Sequence, residues 1–233
     1  MVNSLLHRAS FHLLPGRCLL CLAHTLAAAD ICTGCHDELP WLGPHCQRCA
    51  LPLGSASRHG QCGQCLKSPP QFDECAAVWE YGYPIDQLIS RFKYQRRQLY
   101  GSLLSRLALD RIRAASRPDL LAPVPMHWRR RLQRGFNQAD IIARVWSPLL
   151  GIPVSTDLYR LHYNPPQQGL SAKQRRHNLQ AAFALRKNAD IAGKHVAIID
   201  DVVTTAATAN SVAAILREAG ARRVSVWCLA RTP

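Results

Sequence analysis

The sequence predicts an α/β fold, a parallel sheet with flanking helices, preceded by a small cysteine-rich module. Three observations lead there. Apolar runs of strand length alternate with segments whose apolar residues recur at helical spacing, which implies crossover connections and hence parallel pairing. Four C-x-x-C pairs fall within the first 65 positions and none beyond. The chain of 233 residues suits one α/β domain plus a small module and is too short for two full-sized domains.

The elements of the larger part follow in order. Cys75 to Tyr81 (CAAVWEY) reads as a strand. Pro84 to Tyr94 places Ile85, Leu88, Ile89 and Phe92 on one helical face, and Leu99 to Ile112 repeats that pattern with Leu103, Leu104, Leu107 and Ile112. Leu120 to Pro125 is a short apolar strand ending in a loop. Phe136 to Leu150 is a helix closed by Gly151. Tyr163 to Lys173 carries Pro165, Pro166 and Gly169 and should be a loop. His195 to Ile199 is a buried strand, Thr208 to Ala219 a helix ended by Gly220, and Arg223 to Leu229 the last strand.

The eight paired cysteines are Cys18/Cys21, Cys32/Cys35, Cys46/Cys49 and Cys62/Cys65, separated by ten, ten and twelve residues. A C-x-x-C turn aims two thiolates at one point, and a second turn completes a tetrahedron around Zn²⁺. Four pairs make two four-sulfur sites, structural ones, because four thiolates leave no open coordination position. Disulfides would need an oxidising compartment, and a thioredoxin-type motif would be single and would open a helix. The surrounding Gly43, Pro44, Pro52, Gly54, Gly60 and Gly63 suit loops and short ribbons. Sequential pairing of the knuckles closes the shorter loops, and interleaved pairing stays open. Cys75 and Cys228 sit in apolar runs and read as core residues. The linker is expected at Lys67 to Gln71, giving a metal module over 1–70 and an α/β domain over 71–233.

The charge is uneven. Lys and Arg number 29 against 15 Asp and Glu, a net +14. Residues 1–70 contribute only five basic and three acidic side chains, so the positive field belongs to the larger part. Such a field favours phosphates, nucleic acid or an anionic surface. No apolar stretch approaches the roughly 20 residues of a bilayer span, and His7, Arg8 and His12 interrupt the N-terminal apolar residues as a signal peptide would not. A soluble cytoplasmic protein without membrane insertion is the expectation.

The most informative segment is Val196 to Thr208 (VAIIDDVVTTAAT). An apolar strand runs into Asp200 and Asp201, then into small and hydroxyl side chains that open a helix. Ligands of open α/β sheets bind at the carboxyl ends of strands, and a helix N-terminus offers free amides to an anion. Two carboxylates beside such a loop make sense if they accept bonds from sugar hydroxyls or face Mg²⁺ through water. The simpler alternative is an N-terminal charge cap.

This segment resembles the phosphoribosyl-pyrophosphate (PRPP) loop of type I phosphoribosyltransferases. The resemblance implies that Asp200 and Asp201 bind ribose and that Val203, Thr204, Thr205, Ala206, Ala207 and Thr208 cradle the 5′-phosphate. Pro123 to Gln138 (PVPMHWRRRLQRGFNQ) and Gln168 to Leu179 (QGLSAKQRRHNL), with the cysteine module, resemble the ComF/GntX competence-related family over nearly the whole chain. That resemblance implies a double zinc ribbon joined to a type I phosphoribosyltransferase-like domain. It also implies a role in DNA uptake or utilisation, with single-stranded DNA, DNA-translocation or competence proteins, and PRPP or a nucleotide with Mg²⁺ as expected partners.

The arginines have a chemistry of their own. Arg129, Arg130, Arg131 and Arg134 follow a strand end, where they could grip pyrophosphate or a nucleic-acid backbone. Lys173, Arg175 and Arg176 lie where phosphoribosyltransferases keep a lid and could neutralise a departing pyrophosphate. Between Arg91 and Arg134 stand twelve basic residues and two acidic ones, with Phe92, Tyr94, Tyr100 and Trp128 among them. Charge with interleaved aromatics suits single-stranded DNA, although Phe92 also reads as helix core.

Two departures bear on activity. Position 206 is Ala where the family loop usually has Gly; a positive φ there would cost Ala roughly 1–2 kcal/mol, and its methyl could crowd a phosphate. Any base-recognising hood must come from residues 71–120 or from the cysteine module. The leading expectation is a DNA-uptake protein that binds single-stranded DNA and PRPP. The rivals are an active phosphoribosyltransferase and a catalytically inert zinc-ribbon adaptor of a DNA-translocation motor.

Overall fold

A computed structural model of the protein describes residues 16–25, 30–54, 60–94, 97–161 and 182–233. The chain divides into two compact units, Met1–Pro40 and Trp41–Pro233. The second pair of cysteine knuckles therefore belongs to the larger unit, and the Lys67 to Gln71 stretch lies inside that unit.

In the smaller unit β1 (Gly16–Arg17) pairs antiparallel with β2 (His24–Thr25), and α1 (Thr33–Asp37) follows. The larger unit opens with the second knuckle pair and α2 (Gly63–Lys67). Cys32 and Cys62 are the N-caps of α1 and α2, so the second pair of each site opens a one-turn helix, where loops and ribbons were expected. The first pair of each site is a turn whose next residue, Leu22 or Ala50, has positive φ (64° and 56°) and donates its N–H to the carbonyl of the first cysteine.

The sheet has the order β3-β8-β7-β4, all parallel. Its strands are β3 (Glu74–Glu80), β4 (Leu120–Pro123), β7 (His195–Val203) and β8 (Arg223–Arg231). Burial on both faces gives β7 and β8 their near-continuous apolar sequence: Val196, Ala197, Ile198, Ile199, Val224, Val226, Cys228 and Leu229 are all fully buried. Both central strands run longer than the sequence suggests, since Asp200 and Val203 still pair with Cys228 and Arg231.

On the face bearing Trp146 and Trp227, α3 (Ile85–Tyr94), α4 (Gln98–Leu107), α5 (Leu109–Arg113) and α7 (Gln138–Leu150) assemble the helical layer. One helix was expected over 99–112; a ψ of −17° at buried Ala108 tightens the turn and divides it. Gly101 lets α4 approach α3, since a Cβ there would stand 2.3 Å from the Phe92 ring. Asn137 caps α7 by accepting the Ala139 N–H at 3.2 Å, and Gly151 ends it at φ 64°. The opposite face is covered by α8 (Ala207–Glu218), whose Ala209, Val212, Ala213 and Leu216 are buried.

A helix and a ribbon of the larger unit also lacked a sequence signal. The helix α6 (Trp128–Arg134) carries the arginine run, and β5 (Leu158–Arg160) pairs antiparallel with β6 (Phe183–Leu185) as a separate ribbon. Neither has an apolar period long enough to register: α6 buries none of its own residues, and three-residue strands show no alternation. No helix among the described residues is long and apolar enough to cross a membrane.

Candidate phosphate site and metal centres

The sulfurs group sequentially: Cys18, Cys21, Cys32 and Cys35 form one cluster, and Cys46, Cys49, Cys62 and Cys65 the other, each with its ligand atoms within 4.8 Å of one another. A tetrahedron with Zn–S bonds of about 2.3 Å has edges of about 3.8 Å. The Cys21–Cys32 and Cys49–Cys62 Sγ separations are both 3.7 Å. No disulfide competes, as all ten cysteines are free thiols. Burial pushes the Cys46 thiol up, but amide donors led by Cys62 and Cys49 outweigh it and bring the pKa down to about 7. The Cys62 N–H donates to Cys46 Sγ at 3.2 Å and the Cys65 N–H to Cys62 Sγ at 3.4 Å. The donor sets, spacing and amide support fit structural zinc in both clusters.

The second cluster is also core. Its four cysteines are each under a tenth exposed and share one apolar cluster with Phe72, Val203, Val226 and Cys228.

The strand β7 delivers the loop over residues 203–208, the candidate phosphate site, to the carboxyl end of the sheet. Val203 is the last paired residue; Thr204 and Thr205 are exposed; Ala206 turns the chain with φ 58° and ψ 10°; α8 begins at Ala207. The positive φ raised by sequence is therefore real, and Ala carries a penalty of roughly 1–2 kcal/mol there. The result is an open cradle of about 250 Å³ lined by Asp200 and the stretch Val202 to Ala209. The Asn210 N–H makes the first intrahelical bond, to Ala206 O at 2.8 Å, so the amides before it face the cradle end of the helix without intrahelical partners.

Asp200 lines this cradle, and Asp201 follows it on β7. Burial, and next the charge of Asp201, push Asp200 up to about 7, while its own Oδ1 accepts the Asp201 N–H at 2.9 Å. Asp201 is 8% exposed and pairs with Lys93 on α3, Nζ to Oδ2 at 3.1 Å. Beside Asp200 on β8 lies Cys228; its hydrogen bond with Cys75, followed by burial, holds that thiol well above its usual value, so it is a neutral core group.

The arginines leave the same edge of the sheet, because Pro123 at the end of β4 pairs with Ile199 of β7 and α6 follows shortly after. His127 caps α6 through Nδ1, which accepts the Arg129 N–H at 3.2 Å. Burial and the nearby Arg160, Arg129 and Arg130 hold this imidazole below its ordinary value, which keeps Nδ1 free to accept. Arg129 lies over the Trp128 ring at 5.3 Å and Arg134 over Tyr94 at 5.1 Å. Trp128 and Tyr94 are 59% and 68% exposed. Phe92 and Tyr100 are buried in the helical layer, so only two of the four aromatics named from sequence face solvent.

Lys173, Arg175 and Arg176 lie outside the described residues. Sequence reading missed Lys93 and Arg231. Lys93 was one basic residue in an amphipathic helix and gained meaning only from its tertiary partner. Arg231 followed what looked like the strand's end. It is 6% exposed, and its guanidinium donates from Nε to Cys49 O at 3.0 Å and from Nη1 to Thr204 O at 2.6 Å and Val203 O at 3.3 Å.

Comparison with known proteins finds two domain models along the chain, the first of which takes in residues of both compact units. A double zinc ribbon domain model matches residues 10–66, and a phosphoribosyl transferase domain model matches residues 132–233. Competence protein F of Haemophilus influenzae is 36% identical, with 92% of this chain and 96% of that protein covered. The chain belongs to the ComF/GntX family. A DNA utilization protein of Escherichia coli O157:H7 is 37% identical across 94% of this chain and 98% of its own length. A solved purine phosphoribosyltransferase from Pyrococcus horikoshii shares 18% identity at a TM-score of 0.38, over 68% of this chain and 79% of that one. The phosphoribosyl transferase match over residues 132–233 takes in β7, α8 and β8, the elements that hold the candidate loop.

Proposed function

We propose that this ComF/GntX-family protein acts in DNA uptake or utilisation in the cytoplasm. It binds single-stranded DNA on the α6 surface and PRPP or a nucleotide phosphate, with Mg²⁺, in the cradle after β7. The observation that carries the reading is the left-handed turn at Ala206, which bends Val203 to Thr208 around one small cavity at the carboxyl edge of the sheet. Backbone amides and the hydroxyls of Thr204, Thr205 and Thr208 would hold the phosphate. Asp200 and Asp201 would accept bonds from the ribose hydroxyls, and their hard oxygens suit a hydrated Mg²⁺.

For DNA, Arg129, Arg130, Arg131 and Arg134 would neutralise phosphates, while the exposed Trp128 and Tyr94 rings offer faces for bases. The printed names of the relatives, a competence protein and a DNA utilization protein, support this direction. DNA-translocation proteins are the partners such a role calls for.

A second reading is transfer of ribose 5-phosphate to an acceptor, favoured by Asp200 lining the cradle beside the stretch Val202 to Ala209. Pyrophosphate would then leave as the acceptor attacks the anomeric carbon, with Lys173, Arg175 and Arg176 as the groups to neutralise it.

The test is calorimetric titration of the zinc-loaded protein with PRPP and Mg²⁺, and separately with an oligothymidylate at several salt concentrations. Saturable binding of both, with DNA affinity falling steeply with salt, is the expected result. A folded protein that binds neither overturns the proposal. PRPP turnover dependent on an added base, with no DNA affinity, replaces it with the second reading.

A further inference from the structure

Arg231 joins two parts of the larger unit that have different chemistry. One end of its guanidinium holds the carbonyl of Cys49, a residue of the second sulfur cluster; the other holds the carbonyls of Val203 and Thr204, where the phosphate loop begins. Thr232 O and Oγ1 complete its acceptors. Every partner is a neutral oxygen, and among the described residues no carboxylate pairs with this side chain. A buried cation without a counter-charge is costly unless its surroundings compensate.

The geometry at each end is conditional. Cys49 O belongs to a knuckle turn in which Ala50 has φ 56° and donates to Cys46 O at 2.8 Å, and Cys46 N–H donates to Leu51 O at 2.9 Å. Closing four sulfurs on one metal keeps that turn folded. Thr204 O opens the loop that Ala206 bends with a left-handed residue, a conformation that persists only when its surroundings over-determine it. Among the described residues, Arg231 is the one side chain that bonds both.

We infer that Arg231 is a positioning residue that couples metal occupancy of the second cluster, Cys46, Cys49, Cys62 and Cys65, to the shape and anion affinity of the phosphate loop. This rests on the reading of Val203 to Thr208 as a phosphate site and adds its regulation. Metal in the knuckle fixes Cys49 O; Arg231 passes that constraint to Val203 and Thr204; its charge sits behind the loop where an anion would bind. Loss of the metal, by chelation or by thiol oxidation, frees the knuckle and loosens the loop. The coupling must be reciprocal: an anion in the cradle must retain the metal by the same factor.

The experiment uses full-length zinc-loaded protein carrying Cys35→Ser, which leaves one complete cluster. Metal release to a chromogenic chelator is timed with and without saturating PRPP and Mg²⁺, and hydrogen exchange is followed over residues 203–208. Saturating PRPP should slow release by at least about fivefold, the lower range of such couplings. Arg231→Gln should abolish that dependence and speed loop exchange by about tenfold, with exchange in α7 unchanged. Arg231→Lys keeps the charge but cannot span both ends; it serves if Arg231→Gln fails to fold, and should behave the same way. Folded variants with unaltered loop exchange and unaltered metal release overturn the inference. If PRPP binds nowhere, yet Arg231→Gln still speeds both loop exchange and metal release, the coupling stands and the ligand assignment falls. If PRPP binds but leaves metal release unaffected, the ligand assignment stands and the coupling falls.

Discussion

The Nζ of Lys93 lies 3.1 Å from Oδ2 of Asp201, tying helix α3 to the strand that runs into the loop over residues 203–208. Both side chains are mostly buried, so this pair is screened less than a surface one. It also offsets part of the repulsion between Asp201 and Asp200.

Lys93→Met should therefore destabilise the larger unit by about 1–3 kcal/mol, the range for leaving a buried charged group without its partner. Lys93→Arg should recover much of that loss. Urea titration of both variants measures it, and a Lys93→Met midpoint equal to that of the parent protein would show the pair to be idle.

Ala206→Gly should raise stability. Relief of a left-handed penalty of about 1–2 kcal/mol, less the added freedom of an unfolded glycine at about 0.4–1 kcal/mol, leaves a gain of up to about 1.6 kcal/mol. The midpoint should rise with the m-value unchanged, and PRPP should bind at least as tightly, because the methyl no longer stands beside the cradle.

Asp200 governs a pH dependence. Its carboxyl is raised to about 7 in the folded protein, by burial and by Asp201, with Lys93 opposing and the neutral Cys228 thiol alongside. A carboxyl raised on folding favours the folded state below its unfolded value, near 4, and that contribution is lost as pH rises through 7. The melting temperature should fall between pH 5 and pH 8. In Asp200→Asn the fall should be shallower, and the two curves should differ most at the alkaline end.

The two sulfur clusters should not be equivalent in stability. Cys65 is 5% exposed and shares a core with Phe72, Val203 and Val226, whereas Cys35 belongs to the unit over 1–40. Each Cys→Ser change should lower bound zinc from two to one per chain. Only Cys65→Ser should lower the main melting transition by several degrees. Metal analysis alongside calorimetry reads both effects.

Much of this architecture is written in local pattern. The buried strand Val196 to Ile199, the amphipathic face of α3 and the closing Gly151 of α7 each follow from residue type and spacing. Even the strain at Ala206 was legible as a condition, because the family loop that this segment resembles usually has Gly at that position. What escaped was pairwise. Lys93 and Asp201 stand over a hundred positions apart, as do Arg231 and Cys49, and nothing near either partner marks the contact. Helix α6 escaped for another reason: it buries no side chain of its own, so burial periodicity had nothing to report.

The sheet order β3-β8-β7-β4 carries a consequence for synthesis. β8 is the last of the four strands to leave the ribosome, yet among the described residues it is the only strand paired with β3, and it also pairs with β7. The apolar residues of β3, among them Val78 and Trp79, cannot close their sheet face until roughly 150 further residues have been made, as the pairing of Glu74 with Ser225 requires. Until then β3 is an unpaired edge, the kind of surface that recruits wrong partners. An antiparallel bridge from Trp41 to Trp79 and the bond from the Leu42 N–H to Val78 O lie on that strand, contributed by chain made earlier. This short stretch ahead of the second knuckle pair would thus act during translation as a temporary chaperone in cis, shielding one edge of the nascent chain while the other waits for its mate.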